Sequence, residues 1–219
     1  MASDPPPSRL VLVRHGRVAE AWRGRLYGDR DVPLSPRGEE EARATARLLA
    51  AEAFAAVVSS GLARAEFGAA ELRRGRALPR RDEPALREIR RGEWGGLLPA
   101  EVPGGAFARW LARPDRERPP GGESLADLAS RVLPRLDEMA AELAGGAAAL
   151  VSHLWVIRVA AAHALGLALA RAGSLAVPFG GIVALDWAPG HVVLAAFAAP
   201  RLPPRAGRWY RGPAPRPPA

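Results

Sequence analysis

The sequence predicts an α/β fold with a largely parallel sheet, and three observations carry the prediction. Short apolar runs of strand length alternate with segments of helical period. The first run, Leu10 to Val13, is apolar without alternation, as a strand buried on both faces must be. Three such runs end in polar groups of related kind: Arg14-His15-Gly16, Ser59-Ser60 and Ser152-His153. In open α/β sheets ligands bind at the carboxyl ends of strands, so function is expected there.

Composition narrows the class. The chain has 219 residues, enough for one domain with a self-sufficient core. It contains no cysteine, which removes disulfides, thiolate nucleophiles and cysteine-ligated metal and fits a cytoplasmic location. Residues 1–8 lack the basic and apolar regions of a secretory signal. The longest greasy stretch, Leu150 to Ala172, carries His153, Arg158, His163 and Arg171, so it reads as strand and helix and not as a membrane span. A net charge of +8 raises the question of nucleic acid. All 31 basic residues are arginine, however, and lysine, asparagine and glutamine are absent. The arginines are spread along the chain among acids, the mark of a coding bias, and nucleic acid is not expected as a partner.

Taken in order, residues 1–8 form a polar, proline-rich lead-in expected to be disordered. A first strand covers Arg9 to Arg14, and a long loop follows from Gly16 to Leu34. Its aromatics, Trp22 and Tyr27, suit a loop folded over something. Ser35-Pro36 is a helix start, with an apolar face at Ala42, Ala46 and Leu49 running to about Glu52. Phe54 to Ser59 reads as a second buried strand, Ala63 to Leu72 as a short helix, and Ala77 to Arg81 as a short edge strand. Residues 92–122 are irregular, with a helix around Phe107 to Ala112, and read as an insertion or lid. Ser124 and Asp127 form a capping box before a long amphipathic helix, which Pro134 should kink and Gly145-Gly146 should end. Ala147 to Ser152 is a third strand and Trp155 to Leu165 the next helix. Gly181 to Trp187 and His191 to Phe197 form an antiparallel hairpin around Pro189-Gly190. Residues 200–219 are a mobile tail rich in proline and arginine. With no linker and no repeat, residues 9–199 form one domain.

If the three polar-ended strands are parallel neighbours, Arg14, His15, Arg64, Ser152 and His153 meet at one sheet edge. Two arginines and two histidines together make sense around a dianion. Arginine's fork matches phosphate oxygens and keeps its charge. A neutral histidine, His15, can attack phosphorus and split the reaction through a phosphohistidine. Gly16 leaves no side chain to block the ligand's approach. An acid must then protonate the leaving alcohol and later activate water. Glu88, in the charge run Arg87 to Arg91, is the candidate, with Glu93 as its competitor. Trp22, Tyr27, Trp94 and Arg17 are candidates for the substrate cleft. His163 and His191 read as structural, and no spacing suggests a metal site.

These motifs resemble the histidine phosphatase superfamily, also called phosphoglycerate-mutase-like. The anchors are Val13-Arg14-His15-Gly16, Gly28 with Asp31 to Ser35 and Gly38, Ser59 to Ala65, Leu86-Arg87-Glu88 with Gly92 and Trp94, Gly121 to Ser124, and Val151-Ser152-His153. The resemblance implies a three-layer α/β/α fold with a mixed, mostly parallel sheet. It implies His15 as phosphorylated nucleophile, Glu88 as proton donor, and Arg14, Arg64 and His153 as phosphate ligands, with no metal or dissociable cofactor. Within the superfamily the chain looks most like the α-ribazole-phosphate phosphatase branch, which works in cobalamin assembly. Arg17, Ala21, Gly68, Gly95-Gly96 and Leu154 depart from the family's usual residues. They remove no catalytic group and bear on the substrate.

The reading is a cytoplasmic phosphomonoesterase for a small phosphorylated metabolite. Its rivals are a mutase of the same superfamily and a relative that binds phosphate esters without turnover.

Overall fold

The computed structural model describes residues 6–188 and 190–197. Its sheet has six strands: β1 Ser8–Arg14, β2 Ala56–Ser59, β3 Arg81–Asp82, β4 Ala147–Ser152, β5 Ile182–Ala188 and β6 His191–Phe197. The spatial order is β3-β2-β4-β1-β5-β6. The first four run parallel, whereas β5 lies antiparallel to β1 and to β6. The expected α/β architecture with a mixed sheet is therefore the observed one, and β4, not β2, is the parallel neighbour of β1.

The unbroken apolar run of β1 explains the layers. Side chains alternate across a strand. Leu10 and Leu12 pack with α4 (Leu125–Leu143) and α5 (Leu154–Ala164), through Leu128, Val132, Leu136 and Ile157. Val11 and Val13 pack on the opposite face with Leu49, at the end of α1 (Pro36–Leu48), and with Ala65, Ala69 and Leu72 of α2 (Ala63–Arg73). One short helix, α3 (Ala106–Ala112), lies within the 92–122 segment. Among the described residues no helix is long and apolar enough to cross a membrane.

Several local expectations hold. Ser35 caps α1 by accepting from the Gly38 N–H at 3.1 Å. Ser124 and Asp127 form the reciprocal capping box of α4. The third strand occupies Ala147–Ser152, and β5 and β6 form the antiparallel pair, although Pro189 of its turn lies outside the described residues. Other boundaries differ. The first helix ends at Leu48, short of Glu52, and the edge strand is Arg81–Asp82, two residues long and displaced from Ala77 to Arg81. α4 continues as one helix through Pro134.

The lead-in also ends earlier than residue 8. Ser8 is buried as the first residue of β1, its hydroxyl donating to Ala140 O at 2.6 Å and accepting from Gly145 N–H at 3.0 Å. A serine whose hydroxyl is satisfied on both sides sits in a core as readily as an apolar residue. Residues 1–5 and the 200–219 tail lie outside the described residues.

Candidate active site

His15 leaves the carboxyl end of β1 and is buried. Its backbone N–H donates to Ser152 O at 3.0 Å, which ties it to the end of β4. Its Nδ1 lies 2.6 Å from Gly16 O. A carbonyl only accepts, so Nδ1 carries the proton and Nε2 keeps its lone pair. Burial holds the imidazole pKa well below 6.5, and the Arg64 and Arg14 guanidiniums push it the same way. The ring is therefore neutral, with a free nucleophilic nitrogen.

Gly16 serves a different purpose from the one expected. A Cβ there would collide with Gly38 O, and a Cβ on Gly38 would collide with Arg17 O. The two glycines let the start of α1 rest backbone to backbone on the His15 loop.

Three further groups surround His15. His153, the N-cap residue of α5, is fully buried, with its ring centroid 5.1 Å from that of His15. Its Nε2 is 2.7 Å from Ser60 Oγ, and burial together with the Arg64 charge keeps it neutral well below pH 6.5. Arg64, in the first turn of α2, is also fully buried. Its Nη1 donates to Arg30 O and its Nη2 to Gly28 O, each at 2.7 Å. Arg14 donates from Nη1 to Val177 O at 2.6 Å and lies 3.9 Å over the Phe179 ring. What remains is informative. Arg14 Nε, Arg64 Nε and His153 Nδ1 are buried and have no hydrogen-bond partner among the described residues. Unpaired buried donors are rare, because each carries a desolvation penalty of about 1–3 kcal/mol.

Glu88 follows a 3-10 turn over Pro84–Leu86 and is buried, while its competitor Glu93 is exposed on a separate turn. Glu88 Oε1 accepts from the Ile89 N–H at 2.9 Å and the Trp155 N–H at 3.2 Å. His153 supplies no side-chain cap, so Glu88 caps α5 from outside the helix. Arg131 braces the segment, donating to Ala85 O, Arg87 O and Glu88 O and pairing with buried Glu123 at 2.9 Å. Tyr27 faces this group. Burial and the Glu88 charge raise its phenol pKa, against the pull of Arg64 and Arg14.

The cleft candidates divide. Arg17, Trp22 and Tyr27 line one cavity of about 150 Å³ together with Phe179. Arg17 also pairs with Glu41 at 3.3 Å. Trp94 belongs elsewhere: it is buried, meets Phe107 edge-on at 6.3 Å, and lines a second cavity of about 400 Å³ with Leu97 and Ala106. A large aromatic in an irregular segment found core surface to cover. Of the remaining histidines, His163 stacks on Trp187 at 5.6 Å.

Sequence reasoning missed Phe179, Arg131 and the bond from Ser60 to His153. Ser60 was visible at a strand end. Phe179 meets Arg14 and His15, and Arg131 reaches the carbonyls of Ala85, Arg87 and Glu88, all far away in the chain.

A mixed α/β sheet that gathers two neutral histidines and two guanidiniums at one edge defines an enzyme built to handle phosphate esters. The chain belongs to the histidine phosphatase superfamily (branch 1), whose family model matches residues 10–200. It is 36% identical to a glucosyl-3-phosphoglycerate phosphatase from Mycolicibacterium vanbaalenii over 168 residues, 73% of this chain and 75% of that one. It is 32% identical to phosphoserine phosphatase 1 from Hydrogenobacter thermophilus, over 74% of this chain and 79% of the relative. The crystal structure of the α-ribazole phosphatase from Shigella flexneri superposes with a TM-score of 0.80 at 24% identity, covering 90% of this chain and all of that one. That last likeness is one of fold alone.

Proposed function

We propose that the protein is a metal-independent phosphomonoesterase that hydrolyses a small phosphorylated metabolite through a phosphohistidine on His15. One observation carries the reading: Arg14 Nε, Arg64 Nε and His153 Nδ1 are buried donors without a protein partner, all beside a neutral imidazole whose Nε2 is free. An ester phosphate supplies the acceptors for all three.

In the first step the His15 Nε2 lone pair attacks phosphorus. The bond from phosphorus to the ester oxygen breaks, and that oxygen takes a proton from the Glu88 carboxyl. In the second step the Glu88 carboxylate takes a proton from water, whose oxygen attacks phosphorus. The P–N bond breaks, its electrons return to Nε2, and inorganic phosphate leaves. Ser60 Oγ donates to His153 Nε2, which leaves the proton on Nδ1 to face the phosphate. The missing cysteine fits a cytoplasmic enzyme.

The substrate's alcohol portion is the finer question. The two sequence relatives are named for phosphate esters of carboxylic acids, glucosyl-3-phosphoglycerate and phosphoserine. This favours a phosphorylated acid over α-ribazole 5'-phosphate and cobalamin assembly, whose support is a likeness of fold.

The test is a screen of phosphomonoesters including phosphoserine, 3-phosphoglycerate and α-ribazole 5'-phosphate, with alkaline-quench trapping of enzyme labelled from a radioactive ester. Label that is acid-labile, base-stable and lost in His15→Ala is the expected result. Turnover without a His15 phosphoenzyme sinks the mechanism. Isomerised rather than free phosphate points to a mutase, and ester binding without turnover to a non-catalytic relative.

A further inference from the structure

Beside the phosphate cradle lies a second cluster of positive charge that the reaction above does not use. Arg9, Arg64 and Arg91 are the buried arginines among the described residues. Arg9 is paired with Asp186, and Arg64 is held by two carbonyls. Arg91 has neither: its Nη1 is buried without a partner, and its guanidinium lies 4.2 Å over the Trp110 ring. Trp110 Nε1 is likewise buried and unpartnered. Arg158 lies 4.7 Å over the Trp155 ring, whose centroid is 6.0 Å from Arg91. Arg158 donates from Nε to Leu175 O at 2.8 Å.

The charge count around Glu88 is lopsided. Glu88 is the carboxylate whose field reaches both Arg91 and Arg158, and it also faces Arg14 and Arg64. A phosphate dianion balances Arg14 and Arg64. Arg91 and Arg158 then share one carboxylate, and that carboxylate is neutral whenever it serves as the acid. Desolvation lowers the Arg91 pKa to about 10, with Glu88 partly opposing it. A buried guanidinium in that condition is destabilising unless an anion arrives.

The position of the cluster says which anion. Glu88 must touch the leaving oxygen, so groups near Glu88 see the alcohol portion of the substrate. Arg91 is three residues beyond Glu88, and its stem packs on Gly28, whose carbonyl holds Arg64. We infer that Arg91 and Arg158, both close to the Trp155 ring, form a specificity site for a carboxylate on the leaving alcohol. The inference rests on the phosphatase reading and deepens it to phosphate esters of hydroxy acids.

Two esters isolate the carboxylate: 3-phosphoglycerate carries one where glycerol 3-phosphate carries a hydroxymethyl. Calorimetric binding in a His15→Ala background, where the esters stay intact, should favour 3-phosphoglycerate by about 10- to 100-fold, the range of a charge-assisted pair. Arg91→Met should bring the ratio close to unity, Arg158→Met should lower it in part, and Arg91→Lys should retain some preference. Thermal melts of each variant report folding separately. No preference in the Arg91-intact protein overturns the inference. So does a preference that survives both methionine variants, or a melting loss with an unchanged ratio, which marks Arg91 as a stacking brace only. If the unaltered enzyme forms no phosphohistidine, the phosphatase reading fails, and the binding ratio still decides whether the carboxylate site exists.

Discussion

At the amino end of β1, Arg9 is 3% exposed and holds Asp186 of β5 through two bonds, Nε to Oδ1 at 2.7 Å and Nη2 to Oδ2 at 2.8 Å. At the carboxyl end of the same strand, Arg14 stacks on Phe179 and its Nε has no partner among the described residues. One strand carries both side chains, Arg9 buried and Arg14 half-buried. The first has a carboxylate in register with it across the ladder, so its charge is neutralised within the fold. The second, with Arg64 and His153, keeps donors in reserve. Buried polar groups that are fully matched hold a fold together, and those left unmatched mark where a ligand completes it.

The contrast can be broken first at the reactive end. His15→Ala should lower kcat by at least about 10⁴-fold, as loss of a nucleophile does, while leaving the melting transition in place. Steady-state hydrolysis of the best ester from the screen measures it, and a variant with near-normal turnover removes His15 from the chemistry. The opposite pattern is expected at the other end. Asp186→Ala strands Arg9 in the core and should destabilise by about 3–5 kcal/mol. Because the two ends are separate, activity well below the melting point should persist. Urea denaturation with parallel assays tests this, and a mild effect on stability would show that Arg9 finds another route to solvent.

Acid should distinguish the ends further. His15 and His153 are neutral in the fold below pH 6.5, whereas in the unfolded chain they protonate near 6.5. The unfolded state then binds more protons, so stability is constant above that pH and falls below it. Two such groups give a slope of up to about 2.7 kcal/mol per pH unit. The carboxylates whose pKa is lowered, such as Asp82 and Glu142, contribute only at lower pH, below their ordinary values of 3.8 and 4.5. Urea midpoints between about pH 7.5 and 5.5 should therefore decline, with His153→Gln halving the slope. A flat profile would mean that the pair is not held neutral. The smallest effect is expected at Ser60→Ala, which frees His153 Nε2 and with it the side on which the ring carries its proton. A loss of about 1–3 kcal/mol in kcat/KM follows from one buried hydrogen bond. Rescue by Ser60→Thr identifies the hydroxyl as the cause, and an unaltered rate in Ser60→Ala excludes it.

The parts of this picture that could be read in the sequence are those written locally. The strand Ala147–Ser152, the serine caps of α1 and α4 and the final antiparallel pair follow from neighbouring residues. Histidines and arginines at strand ends were legible as a cluster, because parallel strands bring such ends together. The reasons behind other residues were not legible. Arg9 meets Asp186 across 177 positions, and Arg14 meets the Val177 carbonyl across 163. Trp94 was placed in the cleft because an aromatic in an irregular segment looks the same whether it faces ligand or core. Gly16 looked like clearance for a ligand and proved to be clearance for a helix.

That contact between Gly16 and Gly38 has a genetic consequence. A misfit between two side chains is repaired by shortening one of them. Here each glycine meets backbone, Gly16 against Gly38 O and Gly38 against Arg17 O, and backbone cannot be shortened. A side chain at either position is therefore not relieved by shortening a neighbouring side chain. Gly16 also carries the carbonyl that accepts the hydrogen bond from His15 Nδ1–H. A lineage that replaced either glycine would have to move the start of α1 away from the His15 loop.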